Sequence, residues 1–288
     1  MITLIDGLSL GSIYALIALG YTMVYGIAKL LNFAHGDVIM VGAYAVMVTL
    51  SYSLSPIVAI VAATLICTVL GMVIEKVAYK PLRGASPLAV LITAIGVSYF
   101  LQGAAQLKFG SQPQPVGVAW KLPNISFLNK HGITTSAVVT LVCGVIIMVV
   151  LTLFIKYTRT GSAMRAVSED RGAATLMGVN VNRIITITFA IGSCLAAFAG
   201  MFYLLQIPNT QPTLGAMPGI TAFTAAVIGG IGSIPGAMAG GILLGVVEKF
   251  CLASPLAPYT VAIKFGLLIV ILLVKPTGLL GKVSREKV

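Results

Sequence analysis

The sequence predicts an all-α, polytopic transmembrane helix bundle of about eight spans. Three observations carry this. The 288 residues are 58% hydrophobic and 9% charged, whereas roughly a quarter of a soluble domain is charged. The mean hydropathy is +1.05. The apolar residues fall into runs close to the ~20 residues that a helix needs to cross a bilayer, separated by short basic loops. The net charge of +11 belongs to those loops, as the positive-inside rule describes. No basic, aromatic-laced surface stretch points to nucleic acid.

The chain reads as one transmembrane domain over 1–288. Leu4 to Ile27 is the first span, and its Gly7, Gly11, Ala15 and Ala18 let helices pack closely in lipid. No Lys or Arg precedes Lys29, so the segment lacks a cleavable signal pattern and is expected to stay as a span. A polar interruption follows, with Asn32, His35 and Asp37. Val38 to Leu54 is a short second span, and Pro56 turns the chain into a third, Ile57 to Val73. A loop with Glu75, Lys76, Lys80 and Arg83 is broken by Pro81 and Gly84. Leu88 to Leu107 is the fourth span. The polar stretch 108–135, with Pro113, Pro115 and Pro123, reads as an irregular loop. Val138 to Ile155 and Ile184 to Leu205 are the fifth and sixth spans.

Thr213 to Phe250 is glycine-rich. It is expected to form a broken helix pair joined at Gly232–Pro235, each half too short for a comfortable crossing, either re-entrant or crossing twice to give nine spans in all. Leu256 to Val274 closes the bundle before a basic tail. With loop 157–183 in the cytoplasm, thirteen of the eighteen basic residues lie inside, which puts the N-terminus and loop 108–135 outside.

Two regions could carry function. The stretch 157–183 is polar yet looks folded: Ser168 suits an N-cap, Glu169 and Asp170 suit a first turn, and Gly178 suits a left-handed helix end. Between them Ala173, Ala174, Leu176 and Met177 form a small apolar surface. Pattern alone leaves two readings open, a docking element for a partner and a solvated loop helix. The second region is the pair of interruptions inside the apolar sequence. Broken helices in a membrane must face protein or a water-filled path, and in transporters they mark the substrate route. Asn32, His35 and Asp37 form a polar helix break that reads either as a structural cap by Asp37 or as a gate lining. Gly229, Gly230, Gly232, Ser233, Pro235 and Gly236 read as a pathway-lining or gate segment, in which any single glycine could equally serve tight helix packing. Lys264 is expected to snorkel to the surface rather than to pair with Glu248.

No metal site is expected near His35 and Asp37, since no further His or Cys cluster supports one. The four cysteines show no CxxC spacing and read as packing residues. No catalytic motif or nucleotide-binding loop occurs, so neither an enzyme nor a bound cofactor is expected. The spans hold few acidic residues, which disfavours an ion-coupled carrier.

The segments Gly7 to Asp37, Arg165 to Arg183, Phe223 to Glu248 and Lys275 to Gly281 resemble a bacterial ABC importer permease. The likeness is to the H-type subunit of the branched-chain amino acid (leucine/isoleucine/valine) system. The resemblance implies import across the inner membrane by a heterodimer with an M-type permease, two ABC ATPase subunits and a periplasmic binding protein. It also implies that Arg165, Ser168, Glu169, Asp170, Ala173, Ala174, Leu176 and Gly178 form the element that couples to the ATPases. Related permeases carry urea, short amides or other amino acids, and that is the alternative substrate class. A channel or ion-coupled carrier is disfavoured, because neither needs the capped, arginine-rich loop.

Overall fold

The computed structural model describes residues 2–30, 32–117 and 133–281. The bundle is organised around its first helix. In α1 (Ile2–Ala28) every residue from Ser9 to Val24 is buried, as expected of a helix that is apolar all round. Its closest companion is α10 (Ile234–Leu252). Gly7 faces Val246, Gly11 faces Ile242 and Gly26 faces Gly232, so the pair runs antiparallel along most of its length. A Cβ on Gly11 would stand 2.7 Å from the Ile242 Cα. Small residues let these two backbones touch.

α5 (Thr135–Tyr157) and α8 (Val181–Gln206) pack on α1, and α2 (His35–Ser51) packs on α8. α3 (Pro56–Ile74) opens with a Ser55 cap and Pro56 in its first turn, a position where proline fits. It continues through a π turn (Glu75–Tyr79) and a 3-10 turn (Lys80–Leu82). The expected loop before Pro81 is therefore helical, and Pro87 begins α4 (Pro87–Phe109) after a Ser86 cap. α4 packs on α2 and the π turn, and α11 (Thr260–Val274) packs on α9 (Ala216–Gly229) and α10. Few residues of α4 and α11 are buried. Among the described residues seven helical stretches are long and apolar enough to cross a membrane, and α2 and α9 are shorter apolar helices.

The glycine-rich segment departs from its expected form in one respect. α9, at 14 residues, is short, but α10 has 19 and is long enough to cross. Gly240, Gly241 and Gly245 do not break it. They let it lie against Ala225, Ala15 and Gly11. The turn is made at Gly230 (φ +104°) and Gly232 (φ +93°), and the Ser233 hydroxyl accepts from the Gly236 N–H at 3.3 Å. Pro235 stands inside the first turn of α10. The stretch after α11 folds back over this turn. Leu279 and Leu280 donate to the Ile228 and Gly229 carbonyls at 2.8 and 2.9 Å, supplying partners that the end of α9 lacks.

Most of 108–135 lies outside the described residues, as do Lys282, Arg285 and Lys287 of the tail. The described part of that loop contributes β1 (Gln114–Pro115), which pairs antiparallel with β2 (Asn209–Thr210). Cys67, Cys143, Cys194 and Cys251 are free thiols.

Lys264 does not snorkel. It is buried, with its Nζ 2.8 Å from Glu248 Oε2 and 3.3 Å from Thr221 Oγ1. Tyr14 donates to the same Glu248 oxygen at 2.9 Å. The packing of α11 on α9 and α10 brings the ammonium within reach of these acceptors, and a buried charge needs such partners.

Candidate functional site

Two helices form between α5 and α8. In α6 (Arg159–Glu169) the cap is Thr158, whose Oγ1 accepts from the Gly161 N–H at 3.0 Å. Ser168 is therefore not an N-cap. It lies in the last turn of α6, and its hydroxyl donates to the Arg165 carbonyl at 2.7 Å. Glu169 ends that helix rather than opening the next. Asp170, in an extended conformation, caps α7 (Arg171–Leu176) by accepting from the Ala173 N–H at 2.9 Å. An aspartate is at least as good a cap as a serine, and Thr158 had already started a helix upstream. Gly178 adopts φ +83°. It donates to the Thr175 carbonyl at 2.9 Å, and Val179 donates to Ala174 at 3.0 Å, closing α7 with a left-handed residue.

This element is fixed to the bundle. Gly161, Met164 and Val167 are its buried face. Arg165 reaches the Ile155 carbonyl, and the Lys156 carbonyl at 3.1 Å. Arg171 donates to the Ile27 carbonyl at the end of α1, at 3.1 Å. Burial, and then the nearby Arg83 charge, lower the pKa of Arg171 from its ordinary value; the guanidinium stays charged. Ala174 is buried, whereas Leu176 and Met177 are 90% and 84% exposed. A capped, anchored helix thus presents two large apolar side chains at the basic end of the bundle.

The second constellation lies inside the bundle. α2 begins beside Gly20, whose missing side chain leaves room for the His35 ring. Gly20 is eight residues from the end of α1, or about 12 Å along it. His35 is buried and packs edge-on against Tyr21, centroids 4.8 Å apart. Asn32 is also buried and accepts from the Tyr79 hydroxyl at 2.9 Å. The N-terminus of α9 meets that of α2 here, because Gly36 and Gly215 touch backbone to backbone and a Cβ on either would overlap the other's carbonyl.

A cavity of about 340 Å³ opens at this junction. Asp37, Ser98 and Gln102 form its polar wall, and Phe33, Ile95 and Ile220 its apolar one. The Gln102 amide donates to Asp37 Oδ1 at 2.8 Å and lies 3.3 Å from the Ser98 hydroxyl. Of the candidate pathway residues, Asp37 lines this cavity, while Asn32 and His35 stand behind it as packing partners. Gly229, Gly230, Gly232, Ser233, Pro235 and Gly236 do not line it. They lie at the tight turn at the basic end, where Gly229 meets Gly236, Gly230 meets Thr277 and Gly281, and Gly232 meets Gly26. Sequence reasoning missed Ser98 and Gln102. The available signal was two polar residues four apart in an apolar helix, hence on one face.

At the basic end Glu75, fully buried, is paired with Arg83 and accepts from the Thr186 hydroxyl at 2.7 Å. Arg83 also contacts Asn182. This network ties the π turn to the start of α8. A second cavity of about 550 Å³ opens here between the end of α1 and the start of α4, with Lys29, Arg83 and Arg171 on its walls.

Residues 3–272 match the family described as "Branched-chain amino acid transport system / permease component". The chain is 44% identical to the high-affinity branched-chain amino acid transport system permease protein BraD of Pseudomonas aeruginosa, covering 99% of this chain and 97% of BraD. It is 43% identical to the corresponding permease protein LivH of Escherichia coli K12, covering 98% and 96%. Among solved structures it resembles PsaBC from Streptococcus pneumoniae in complex with Fab, with a TM-score of 0.51 and 15% identity over 94% of this chain and 91% of that one. The structural likeness speaks to the fold alone.

Proposed function

This chain belongs to the branched-chain amino acid transport permease family, and from that premise we propose how its parts divide the work. It is a multi-pass inner-membrane permease, not an enzyme, and it carries branched-chain amino acids. Its assembly includes ATPase and binding-protein partners. In our reading the ATPases dock on α7, with Leu176 and Met177 as the apolar anchors. Such a helix tip seated in a groove is a common recognition mode.

The observation that carries this reading is the bond from Arg171, the first residue of α7, to the Ile27 carbonyl. It joins the docking tip to the end of α1, and α1 borders the mid-bundle cavity through Tyr21. Movement of the ATPases is thereby delivered to the central helix. The two helix N-termini at Gly36 and Gly215 make the cavity the natural point of passage, as in other transporters with discontinuous helices. The second permease of the pair is an M-type subunit.

The test is uptake of labelled leucine into liposomes holding the assembled transporter, with ATP and binding protein each withheld in turn. Uptake that needs both is the expected result. Uptake that persists without ATP overturns the coupling role of α7 in favour of a channel or carrier. Competition by valine, alanine and urea then ranks the substrates, with valine expected to compete best.

A further inference from the structure

We propose that Asp37 is the point on the translocation path that receives the substrate's α-ammonium group. The inference rests on the import reading above and assigns the ligand chemistry of its cavity.

Asp37 is 2% exposed and lies on the wall of the 340 Å³ cavity. Its side-chain partners are neutral, the Gln102 amide at 2.8 Å and the Ser98 hydroxyl. Two other carboxylates set into the bundle are matched by cations. Glu75 pairs with Arg83, and Glu248 pairs with Lys264 at 2.8 Å. Among the described residues no Lys, Arg or His forms an ion pair with Asp37. His35 is close in sequence, but its ring packs against Tyr21 and Gly20.

A carboxylate at this depth without a counter-ion is unfavourable and marks a functional position. The missing positive charge is one that a zwitterionic amino acid brings with it. The cavity lies within the ~300–1,000 Å³ of small-molecule sites. Its apolar wall of Phe33, Ile95 and Ile220 suits an aliphatic side chain. The start of α9, at Gly215, gives the opposite wall a helix dipole that favours the substrate carboxylate. Ser98 and Gln102 hold the carboxylate on the cavity wall as neutral partners and leave its charge for the ligand to match. The contact is transient, because a site on a path must be weak enough to leave.

The experiment uses the complete transporter, with both permeases, the ATPases and the binding protein. It measures labelled leucine moved per ATP hydrolysed. Asp37→Asn keeps the shape and removes the charge, and is expected to lower that ratio roughly tenfold or more, the size of a lost hydrogen bond to a charged group. Asp37→Glu keeps the charge and is expected to restore much of it. Gln102→Leu leaves the charge but removes the donor that aims it, and lowers the same ratio. If Asp37→Asn does not assemble, Gln102→Leu decides. Wild-type ratios in the assembled variants overturn the proposal. Replacing sodium by choline separates the substrate ammonium from an inorganic cation. Uptake should be unaffected, and a loss would reassign Asp37 and overturn the inference. If wild-type uptake itself needs no ATP, the import reading has failed, and that outcome is distinct from a failure of Asp37.

Discussion

Leu176, with nine-tenths of its surface exposed, stands in an aqueous loop beside Met177. Exposed apolar side chains are common singly, but two adjacent ones at the end of a short helix pinned by Asp170, Gly178 and Arg171 are what the proposed docking of the ATPases would use. Anchors of this kind contribute about 2 kcal/mol or more to binding. Leu176→Asp should therefore weaken ATPase association roughly thirtyfold, read as loss of co-purified ATPase subunits. The permease itself should fold normally, since Leu176 touches little of the bundle. Retention of the ATPases by this variant would remove the tip from the interface. At this scale much was legible in the sequence. Gly178 was readable because few residues other than glycine adopt φ +83° at a helix end. Ser168 was misread because two cap-competent residues, Ser168 and Asp170, stand two apart. The choice between them was made upstream, where Thr158 starts α6. Asp37 was readable as a polar interruption, but its partner Gln102 lies 65 residues away and no local pattern connects them.

Among the elements, the long apolar helices follow directly from hydropathy, and their ends from Ser55, Ser86 and Ser233 as caps. What hydropathy leaves undetermined is which helix faces touch. α10 keeps its helix through four glycines because α1 and α9 press against it, and that is a tertiary fact. The same holds for Lys264, whose charge is matched only once α11 packs beside α10. The Glu248–Lys264 pair bridges these helices, with Tyr14 of α1 as a third member. Removing one partner of a buried pair leaves an uncompensated charge and costs about 3–5 kcal/mol. Glu248→Leu should accordingly lower the thermal unfolding midpoint in detergent by many degrees. Glu248→Leu combined with Lys264→Leu should recover most of that loss, because replacing a buried ion pair with apolar groups is often close to neutral. Additive losses in the double variant would mean that the two residues act independently, and that the ion pair does not join α10 to α11.

For the whole molecule, the feature that asks for explanation is the loosely held wall of the cavity. α4 supplies Ile95, Ser98, Tyr99 and Gln102 to that wall, yet it is packed only on α2 and the π turn among the stronger contacts. Its Leu88, Ile92, Tyr99 and Phe100 are all largely exposed. Lipid can cover apolar side chains, but it offers nothing to the polar groups of a half-open cavity. A second permease placed against α4 would close the path and hold the helix. An M-type partner is the one we expect there, since a heterodimer gives the path two chemically different walls. Tyr99→Cys provides the check. In this chain alone the thiol should react readily with a membrane-permeant maleimide, scored by mass spectrometry of its own peptide. Co-expression with the M-type subunit should protect it, while Ile146→Cys on the exposed face of α5 should react equally in both preparations. Equal labelling of Tyr99→Cys with and without the partner would move the interface elsewhere. Protection already present in this chain alone, in a particle of twice its mass, would mean that a second copy of the chain takes the place assigned to the M-type subunit.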